Sequence, residues 1–431
     1  MAIVQQLETI VGSAGIYSYP NLPASWKGRI AETVTPETEI DCLVCPQSSA
    51  ELAQVMALAY RQNWRVLCAG AGSKLHWGGL PEGVNLVVST TKLNRLIDHA
   101  AGDMTVTAES GMKFSDLQAI LAQKGQFLPL DVPYSQEATL GGIVATAITG
   151  SLRHRYGGVR DLLIGLSFVR SDGEIAKAGG RVVKNVAGYD LMKLFTGSHG
   201  TLGVICQVTF RVYPLPDASQ TVLLTGEKAA IAEAAKILMA SALTPTAMDV
   251  LSPVIVSQLN GADGMGLLVR FQSVAESVRQ QSDRLLEVGK MLSLKGHTLT
   301  DDSDLWQQLK NLMWNSERGD QILCKIGVRP SNAVEALAGF DSLNGSGVIH
   351  AASGLGVLRL EENSAVEKVE KLRKICEEKG GFLTILQGGV SLKQKCDVWG
   401  YKGNALEVMR KIKTQFDERN ILSAGRFVGG I

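Results

Sequence analysis

The stretch RVLCAGAGSKLHWGG, Arg65 to Gly79, has the composition of a phosphate-binding loop. It does not fit the dinucleotide fingerprint G-x-G-x-x-G, because Leu75 stands where counting from Gly70 requires the third glycine. A P-loop needs Gly-Lys-Ser or Gly-Lys-Thr, whereas residues 72–74 read Gly-Ser-Lys. Residues with little side-chain bulk still let consecutive backbone N–H groups point into one concavity. We therefore predict an anion-binding nest, and the alternative is a plain surface loop with spare glycines.

Two further segments share this character. ATLGGIVATAITGS, residues 138–151, has only small and aliphatic side chains, with hydroxyls at Thr139, Thr146, Thr149 and Ser151. KNVAGYDLMKLFTGSHGTLGVI, residues 184–205, contains Gly197, Gly200 and Gly203. Such segments offer a ligand many backbone donors and little steric obstruction. Together the three segments favour one elongated ligand that carries phosphates, and composition alone does not name it.

Composition excludes several classes of protein. The 431 residues are 45% hydrophobic and 20% charged, with a formal net charge of +1. Because the basic residues are spread along the chain, we expect no nucleic-acid partner bound through counterion release. No apolar run reaches about 18 residues, so we expect no transmembrane helix. The first residues, MAIVQQLETIVGS, lack a basic region and carry Glu8, which argues against a secretory signal.

The seven cysteines are scattered, and only Cys42 and Cys45 form a CxxC pair. A CxxC can indicate redox chemistry or half of a metal site. Here the pair lies in an apolar run that ends at Pro46, and an iron–sulfur cluster would need about four thiolates. We predict a buried strand at this place, no disulfide framework, and a reducing cytoplasm as the compartment.

The elements that must position the small-residue segments follow from hydrophobic periodicity. Residues 40–67 read strand, helix, strand, with Ser48 or Ser49 as the helix N-cap. KLNRLIDHA, residues 92–100, reads as a short helical or turn segment, and residues 127–151 read as a long loop. DLLIGLSFVRSDGEIAKAG predicts a hairpin around Asp172.

The character of the chain changes after Pro216. Strands such as TVLLTG alternate with long amphipathic helices, which suggests an α+β domain on an antiparallel sheet. The last piece, ALEVMRKIKTQFDERNILSAGRF, predicts a basic amphipathic helix closed by Asn420.

The three small-residue segments, in this order and spacing, resemble the FAD-binding domain of the vanillyl-alcohol oxidase/PCMH flavoprotein superfamily. The tail FDERNILSAGRF is similar to the FDP-x-x-ILNPGR ending of its D-lactate and glycolate dehydrogenase branch. Within that branch, the DVWG and VLRL segments look most like the small FAD-binding subunit of glycolate oxidases. The resemblance implies an α+β fold: a two-subdomain PCMH-type FAD-binding domain at 36–216, an antiparallel-sheet α+β cap at 217–400, and a tail at 401–431 that returns to the first domain.

The same resemblance assigns cofactor-binding roles. Backbone N–H groups of the loop would hold the FAD pyrophosphate, from residues Ala69, Gly70, Ala71, Gly72, Ser73, Lys74 and Leu75. The adenosine and pyrophosphate path would be lined by Pro133, Thr139, Leu140, Gly141, Gly142 and Ala145. The ribityl–flavin region would be approached by Thr149, Gly150, Arg155, Tyr156 and Gly157. Main-chain groups of Gly203, Val204 and Ile205 would face the polar edge of the flavin.

Some relatives join a histidine of the first loop covalently to the flavin. Ser73 stands at that place here, so we expect non-covalent FAD. His199, within GSHGTLG, is a candidate for tuning the site, and His154 between two arginines fits a solvated turn.

Catalytic members of the branch carry a histidine-rich cap motif, H-x-H and GDGN-H, that binds a metal. The corresponding region here is VIHAASGLGVLRL, with His350 alone and Ser353-Gly354 in place of the acidic pair. We therefore predict no metal site and identify no catalytic residue. Candidates for substrate contact rest on residue type and location only: Trp314, Arg318, Lys325 and Arg329.

Three functions stay open. The first is an FAD-binding subunit of a glycolate dehydrogenase (glycolate oxidase) complex, working with a catalytic flavoprotein and an iron–sulfur subunit. The second is a stand-alone FAD-dependent 2-hydroxy-acid dehydrogenase, and the third is a scaffold subunit with structural FAD. The resemblance implies a small 2-hydroxy acid such as glycolate, and a cytoplasmic location or one at the inner face of the membrane through partners.

Overall fold

A computed structural model of the chain describes residues 2–180, 188–314, 321–341, 343–361 and 365–431. The chain divides into two compact units. The first unit comprises Met1–Ile148, Gly158–Pro214 and Tyr401–Ile431, and the second comprises Thr149–Gly157 and Leu215–Gly400. The functional boundaries at 36–216, 217–400 and 401–431 stay a prediction.

The first unit contains a four-stranded sheet with the strand order Ile16–Ser18, Cys42–Val44, Leu86–Ser89, Val66–Ala69. The last three strands pair in parallel. Ser48 accepts a hydrogen bond of 3.1 Å from the Glu51 amide and so caps helix Ser49–Gln62, as predicted. The interpretation of the CxxC pair as a buried strand is confirmed, since both thiols are buried and free. Burial raises the pKa of the Cys42 thiol to about 12, which suits packing rather than redox chemistry.

A five-stranded antiparallel sheet completes the framework of the first unit. Its strand order is Leu96–Ala100, Thr105–Glu109, Val204–Arg211, Leu163–Val169, Ile175–Gly179. The hairpin around Asp172 is confirmed, and Gly173 supplies the left-handed φ of +91° that the turn requires. The prediction of a helix or turn over residues 92–100 is wrong. Leu96–Ala100 forms an edge strand because Thr105–Glu109 offers it backbone partners, and this pairing overrides local propensity.

The predicted long loop over residues 127–151 is wrong in part, because it contains the helix Leu140–Thr146. The Thr139 hydroxyl accepts from the Gly142 amide at 3.4 Å, and Ala147, with a φ of +48°, ends the helix. Two glycines lower helix propensity, so the local sequence reads as a loop. Buried contacts of Ile143 and Val144 with the core stabilise the helix instead.

The remaining helices of the first unit pack around these sheets. They are Ala2–Val11, Ala24–Ala31, Phe114–Ala122, Val159–Leu162, Leu191–Phe195 and Leu406–Phe416. A short pair, Gln126–Phe127 with Tyr213–Pro214, adds a further sheet. The predicted C-terminal helix is confirmed over Leu406–Phe416.

The C-terminal tail is anchored by a buried ion pair. Lys413 donates to a carboxylate oxygen of Asp417 at 2.6 Å and to the carbonyls of Thr201 and Leu422. Asp417 also accepts from the backbone amides of Ile421 and Leu422. Because every charge in the group is hydrogen-bonded, the pair joins the tail to the loop before strand Val204–Arg211.

Replacing Asp417 with asparagine should lower the free energy of unfolding by about 3 kcal/mol, because the Lys413 ammonium stays buried without its counter-charge. The exposed Glu407→Gln on the same helix is the matched control. Urea unfolding of both variants at pH 7 measures the difference, and equal stabilities would contradict this role of the pair.

The second unit is built on an eight-stranded antiparallel sheet, which confirms the predicted α+β architecture. The strand order is Lys295–Leu299, Ala218–Gly226, Met265–Ser273, Ala247–Leu251, Ser346–His350, Leu355–Glu361, Gln321–Gly327, Phe382–Gln387. Its helices are Arg153–Tyr156, Lys228–Ala240, Pro253–Asn260, Ala275–Met291, Ser303–Trp314, Ala333–Asp341, Ala365–Glu378 and Val390–Lys395. Most of these helices supply apolar side chains to one core on a single face of the sheet.

Candidate functional site

A cleft in the first unit brings together parts of all three small-residue segments. It encloses about 700 Å³ of space, part of it open to solvent. The predicted residues that line it are Ala69, Gly70, Ala71, Gly72, Ser73, Lys74, Leu75, Thr139, Gly141, Gly142, Ala145, Gly203, Val204 and Ile205.

The glycine loop, residues 69–75, has the backbone geometry of an anion nest. The consecutive amides of residues 70–74 donate no hydrogen bond to any residue that the structure describes. Gly72 has a φ of +76°, and the Leu75 amide donates back to the Gly72 carbonyl at 3.1 Å. Buried or half-buried N–H groups without a partner are costly unless a ligand accepts from them.

Lys74 adds a positive charge to the same wall of the cleft. Its side chain is buried, and within the described part of the chain its ammonium has no hydrogen-bond partner. The nearest aromatic contact is the Trp77 ring, with its centroid 6.0 Å from Nζ. Burial lowers the pKa of Lys74 to about 8. A buried ammonium without a counter-charge beside a nest of amides suits an anionic group of a ligand.

Close backbone approach explains two of the glycines. A Cβ on Gly70 would lie 1.9 Å from Oγ1 of Thr139, and one on Gly141 would lie 2.9 Å from Cβ of Ser110. Any larger residue would push the glycine loop away from the start of helix Leu140–Thr146. The narrow spacing therefore brings the first two small-residue segments to one side of the cleft.

Arg426 was missing from the site predicted by sequence, although the tail motif that contains it was noticed. Its buried guanidinium donates to the carbonyls of Leu75 at 2.6 Å and Trp77 at 2.5 Å, and the residue lines the cleft. Ser423 of the same tail bonds the Cys68 amide through its hydroxyl. The tail thus fixes both ends of the glycine loop.

Arg426→Met should weaken the binding of a ligand in this cleft by roughly tenfold or more, because two charge-assisted hydrogen bonds to the loop are lost. The exposed Arg419→Met in the same tail is the control. Fluorescence titration with FAD compares the two, and an unchanged affinity in Arg426→Met would show that the loop holds its shape alone.

Four further residues line the cleft without having been assigned a cofactor contact: Cys68, Thr90, Thr146 and Gly200. Of these, Thr90 alone lies outside the three small-residue segments. His199, a predicted tuning residue, lines the cleft with a φ of +52°, and its amide donates to the Ala145 carbonyl at 2.9 Å. A single threonine such as Thr90 carries no pattern that predicts a site.

Several predicted site residues do not line the cleft. Pro133 and Leu140 are buried, and the second compact unit includes Thr149, Gly150, Arg155, Tyr156 and Gly157. Their part in cofactor binding stays a prediction. Lys184, at the start of the third segment, and Arg318 lie outside the described residues.

The predicted substrate contacts are dispersed over the second unit. Trp314 ends helix Ser303–Trp314, and Arg329 precedes the turn at Pro330–Asn332. Lys325 lies in strand Gln321–Gly327. His350, which was not among these candidates, ends strand Ser346–His350.

Two features are absent from the described residues. No group of three or more His, Cys, Asp or Glu side chains there is arranged to hold a metal ion. None of the helices described is both long and apolar enough to span a bilayer.

Known proteins match both the sequence and the fold. Residues 40–179 match the family described as FAD binding domain. The chain is 23% identical to glycolate oxidase subunit GlcD of Bacillus subtilis, over 94% of this chain and 93% of the relative. It is 36% identical to glycolate oxidase subunit GlcE of Escherichia coli, over 41% of this chain and 49% of the relative. The D-lactate dehydrogenase of Archaeoglobus fulgidus is 26% identical over 99% of both chains.

Solved structures share the fold. p-Cresol methylhydroxylase superposes with a TM-score of 0.78 at 15% identity, over 99% of this chain and 96% of that chain. Alkyldihydroxyacetonephosphate synthase gives a TM-score of 0.74 at 16% identity, over 98% and 84%. The match over residues 40–179 and the shared fold confirm the resemblance of the sequence to the vanillyl-alcohol oxidase/PCMH class of FAD-binding flavoproteins. The chain is an FAD-dependent oxidoreductase.

Proposed function

We propose that the cleft of the first unit binds FAD with its pyrophosphate on the glycine loop. The support is the run of unpaired amides at residues 70–74, together with the buried Lys74 ammonium. An anionic pyrophosphate would accept hydrogen bonds from these amides and neutralise the charge of the Lys74 ammonium. Gly203, Val204 and Ile205, on the same cleft, are the proposed main-chain contacts of the flavin ring.

FAD binding in this proposal is non-covalent, because Ser73 occupies the place of the histidine that some relatives join to the flavin. Acid precipitation of the flavin-loaded chain should release all of the yellow colour into the supernatant. Flavin that stays with the precipitated protein would overturn this part of the proposal, and Cys68 and His199 in the cleft would be tested next.

The proposed activity is that of an FAD-carrying subunit in a glycolate dehydrogenase complex. Two relatives are named as glycolate oxidase subunits, and several others as dehydrogenases of D-lactate or D-2-hydroxyglutarate. Bound FAD would accept a hydride from the α-carbon of a 2-hydroxy acid. The partners in this proposal are a catalytic flavoprotein and an iron–sulfur subunit, and the location is the cytoplasm or the inner face of the membrane.

A second candidate is a dehydrogenase that oxidises a 2-hydroxy acid without partners. It is favoured by the match to the D-lactate dehydrogenase of Archaeoglobus fulgidus, which extends over 99% of both chains.

The visible spectrum of the purified chain tests the cofactor first, and anaerobic addition of glycolate then tests the activity. We expect a flavin spectrum that glycolate leaves unchanged in the isolated chain and bleaches once partner subunits are added. Bleaching of the isolated chain would favour the second candidate. A folded chain that takes up no added FAD would overturn both.

A further inference from the structure

The first carbonyl groups of the glycine loop accept hydrogen bonds from the next strand and the turn after it. The Ala69 carbonyl accepts from the Thr90 amide at 3.0 Å, and the Gly70 carbonyl accepts from the Ser89 hydroxyl at 2.9 Å. In a planar trans peptide group, the carbonyl of one residue and the amide of the next point in opposite directions. A carbonyl that is held by a donor therefore directs the following amide away from that donor.

Arg29 supplies the corresponding support for the Ala71 carbonyl. Its Nη1 donates to this carbonyl, and the amide of the same peptide group belongs to Gly72. Ala71 and Gly72 line the cleft, whereas Arg29, on helix Ala24–Ala31, is not among the described residues that do so. Because the donor is charged, it also polarises the peptide group and strengthens the amide as a donor. Arg29 thus acts on the loop from outside the cleft.

Helix Ala24–Ala31 packs closely against the same peptide group. A Cβ on Gly72 would lie 3.2 Å from Cδ of Arg29 and 3.2 Å from Cζ3 of Trp26. Contacts this tight leave little room for a side chain on the loop at this position. The stem of Arg29 and the ring of Trp26 therefore restrict the movement of the peptide group that joins Ala71 to Gly72.

Glu137 fixes the direction of the Arg29 guanidinium. A carboxylate oxygen of Glu137 accepts from Nη2 of Arg29 at 2.6 Å. The Arg29 side chain is 16% exposed and that of Glu137 is 49% exposed, so the more buried cation has its counter-charge at the surface. Glu137 stands two residues before Thr139, whose hydroxyl closely approaches Gly70. The ion pair therefore joins the glycine loop to the segment before helix Leu140–Thr146.

We propose that Arg29 is a positioning residue for the FAD pyrophosphate, which acts through the Ala71 carbonyl and is itself oriented by Glu137. The planar guanidinium donates to a carbonyl with one nitrogen and to a carboxylate with the other, which fixes its geometry. The Gly72 amide is thereby preorganised to donate to an anion, and preorganised donors bind more tightly because less ordering accompanies binding. The proposal rests on the proposed FAD site and adds to it residues that lie outside the cleft.

Fluorescence titration of the flavin-free full chain with FAD tests the role of Arg29. Arg29→Met should weaken FAD binding about tenfold, because the charge-assisted hydrogen bond to the Ala71 carbonyl is lost. Arg61→Met, at an exposed arginine of helix Ser49–Gln62, is the matched control and should bind FAD as wild type does.

A double-mutant cycle tests whether Glu137 acts through Arg29. Glu137→Met should weaken FAD binding about threefold in the wild-type background, because the guanidinium loses its fixed orientation. In the Arg29→Met background, the same substitution should have no effect on FAD affinity. Effects of the two substitutions that simply add would overturn the role of Glu137.

Comparison of ADP with adenosine separates positioning of the loop from general damage to the fold. ADP carries the diphosphate that FAD also contains, and adenosine lacks it. In calorimetric titrations, wild type should bind ADP more tightly than adenosine, and Arg29→Met should reduce this preference about tenfold. General damage would weaken both ligands and leave the ratio of their affinities unchanged, so an unchanged ratio overturns the role of Arg29.

The two proposals fail in different ways. A folded wild-type chain that takes up no added FAD overturns the cofactor proposal, whatever the variants do. FAD binding of equal affinity in wild type and in Arg29→Met overturns the positioning role alone and leaves the cleft as the FAD site.

Discussion

Lys74→Met should stabilise the flavin-free chain and at the same time weaken its hold on FAD. The lysine is buried without a partner in the described structure, and its pKa falls from 10.5 to about 8. Below pH 8 the folded chain carries a buried charge that the unfolded chain exposes to water. Removing that charge should add on the order of 3 kcal/mol to the free energy of unfolding at pH 7. FAD affinity should fall roughly 10- to 100-fold, because the pyrophosphate loses a cation.

The lowered pKa of Lys74 also predicts how stability and FAD affinity change with pH. Stability of the flavin-free wild type should rise between about pH 8 and pH 10.5, because the unfolded chain binds the proton more tightly. FAD affinity of the wild type should fall above about pH 8, as the lysine loses its charge, and Lys74→Met should lack both effects. Urea unfolding and FAD titration across this range measure them, with the exposed Lys124→Met as the control. A variant no more stable than wild type at pH 7 would contradict the isolated buried charge.

Gly70→Ala should weaken FAD binding roughly 10- to 100-fold while the chain stays folded. Its new Cβ would lie 1.9 Å from Oγ1 and 3.1 Å from Cβ of Thr139, well inside van der Waals contact. Thr139 caps helix Leu140–Thr146, so the glycine loop rather than the helix must move. Overpacking of this kind costs about 1–3 kcal/mol. Because the glycine loop is displaced, this cost lowers the affinity of its amides for FAD.

Gly28→Ala is the matched control for Gly70→Ala. Gly28 lies within helix Ala24–Ala31, and an added Cβ there would meet no atom within 4 Å. Its FAD affinity should equal that of wild type, with a small gain in stability from helix propensity. Circular dichroism and equilibrium dialysis with FAD separate folding from binding in both variants. Tight FAD binding by Gly70→Ala would mean that the close approach to Thr139 is dispensable.

Local features of the sequence were predicted well because their determinants are local. Ser48 caps its helix through a hydrogen bond to a residue three positions later, and the hairpin at Asp172 needs only a glycine next in the chain. The structure of an edge strand, in contrast, depends on a partner strand and not on its local sequence alone. Leu96–Ala100 reads as a helix or turn in isolation, and becomes a strand because a partner strand follows it.

The shape of the cleft depends on contacts between residues that are far apart in the sequence. Arg426 holds carbonyls of the glycine loop from the far end of the chain, and no spacing rule connects residues so distant. The same holds for the cross-strand pair of Asp249 and His350 in the second unit. In the sequence, His350 is an isolated histidine without a metal motif. In the structure, its partner is a buried carboxylate contributed by another strand.

The sequence by itself indicated the class of this protein through the resemblance of its three small-residue segments to a known FAD-binding domain, whereas their composition alone predicted only a large ligand with phosphates. Hydrophobic periodicity also indicated the α+β character of the chain after Pro216. Only the tertiary structure decided which amides stay unpaired, which lysine is buried beside them and which tail residue supports the loop. Burial and hydrogen bonding depend on atoms that are far apart in the chain, and a local sequence pattern does not specify the distance between such atoms in the folded protein.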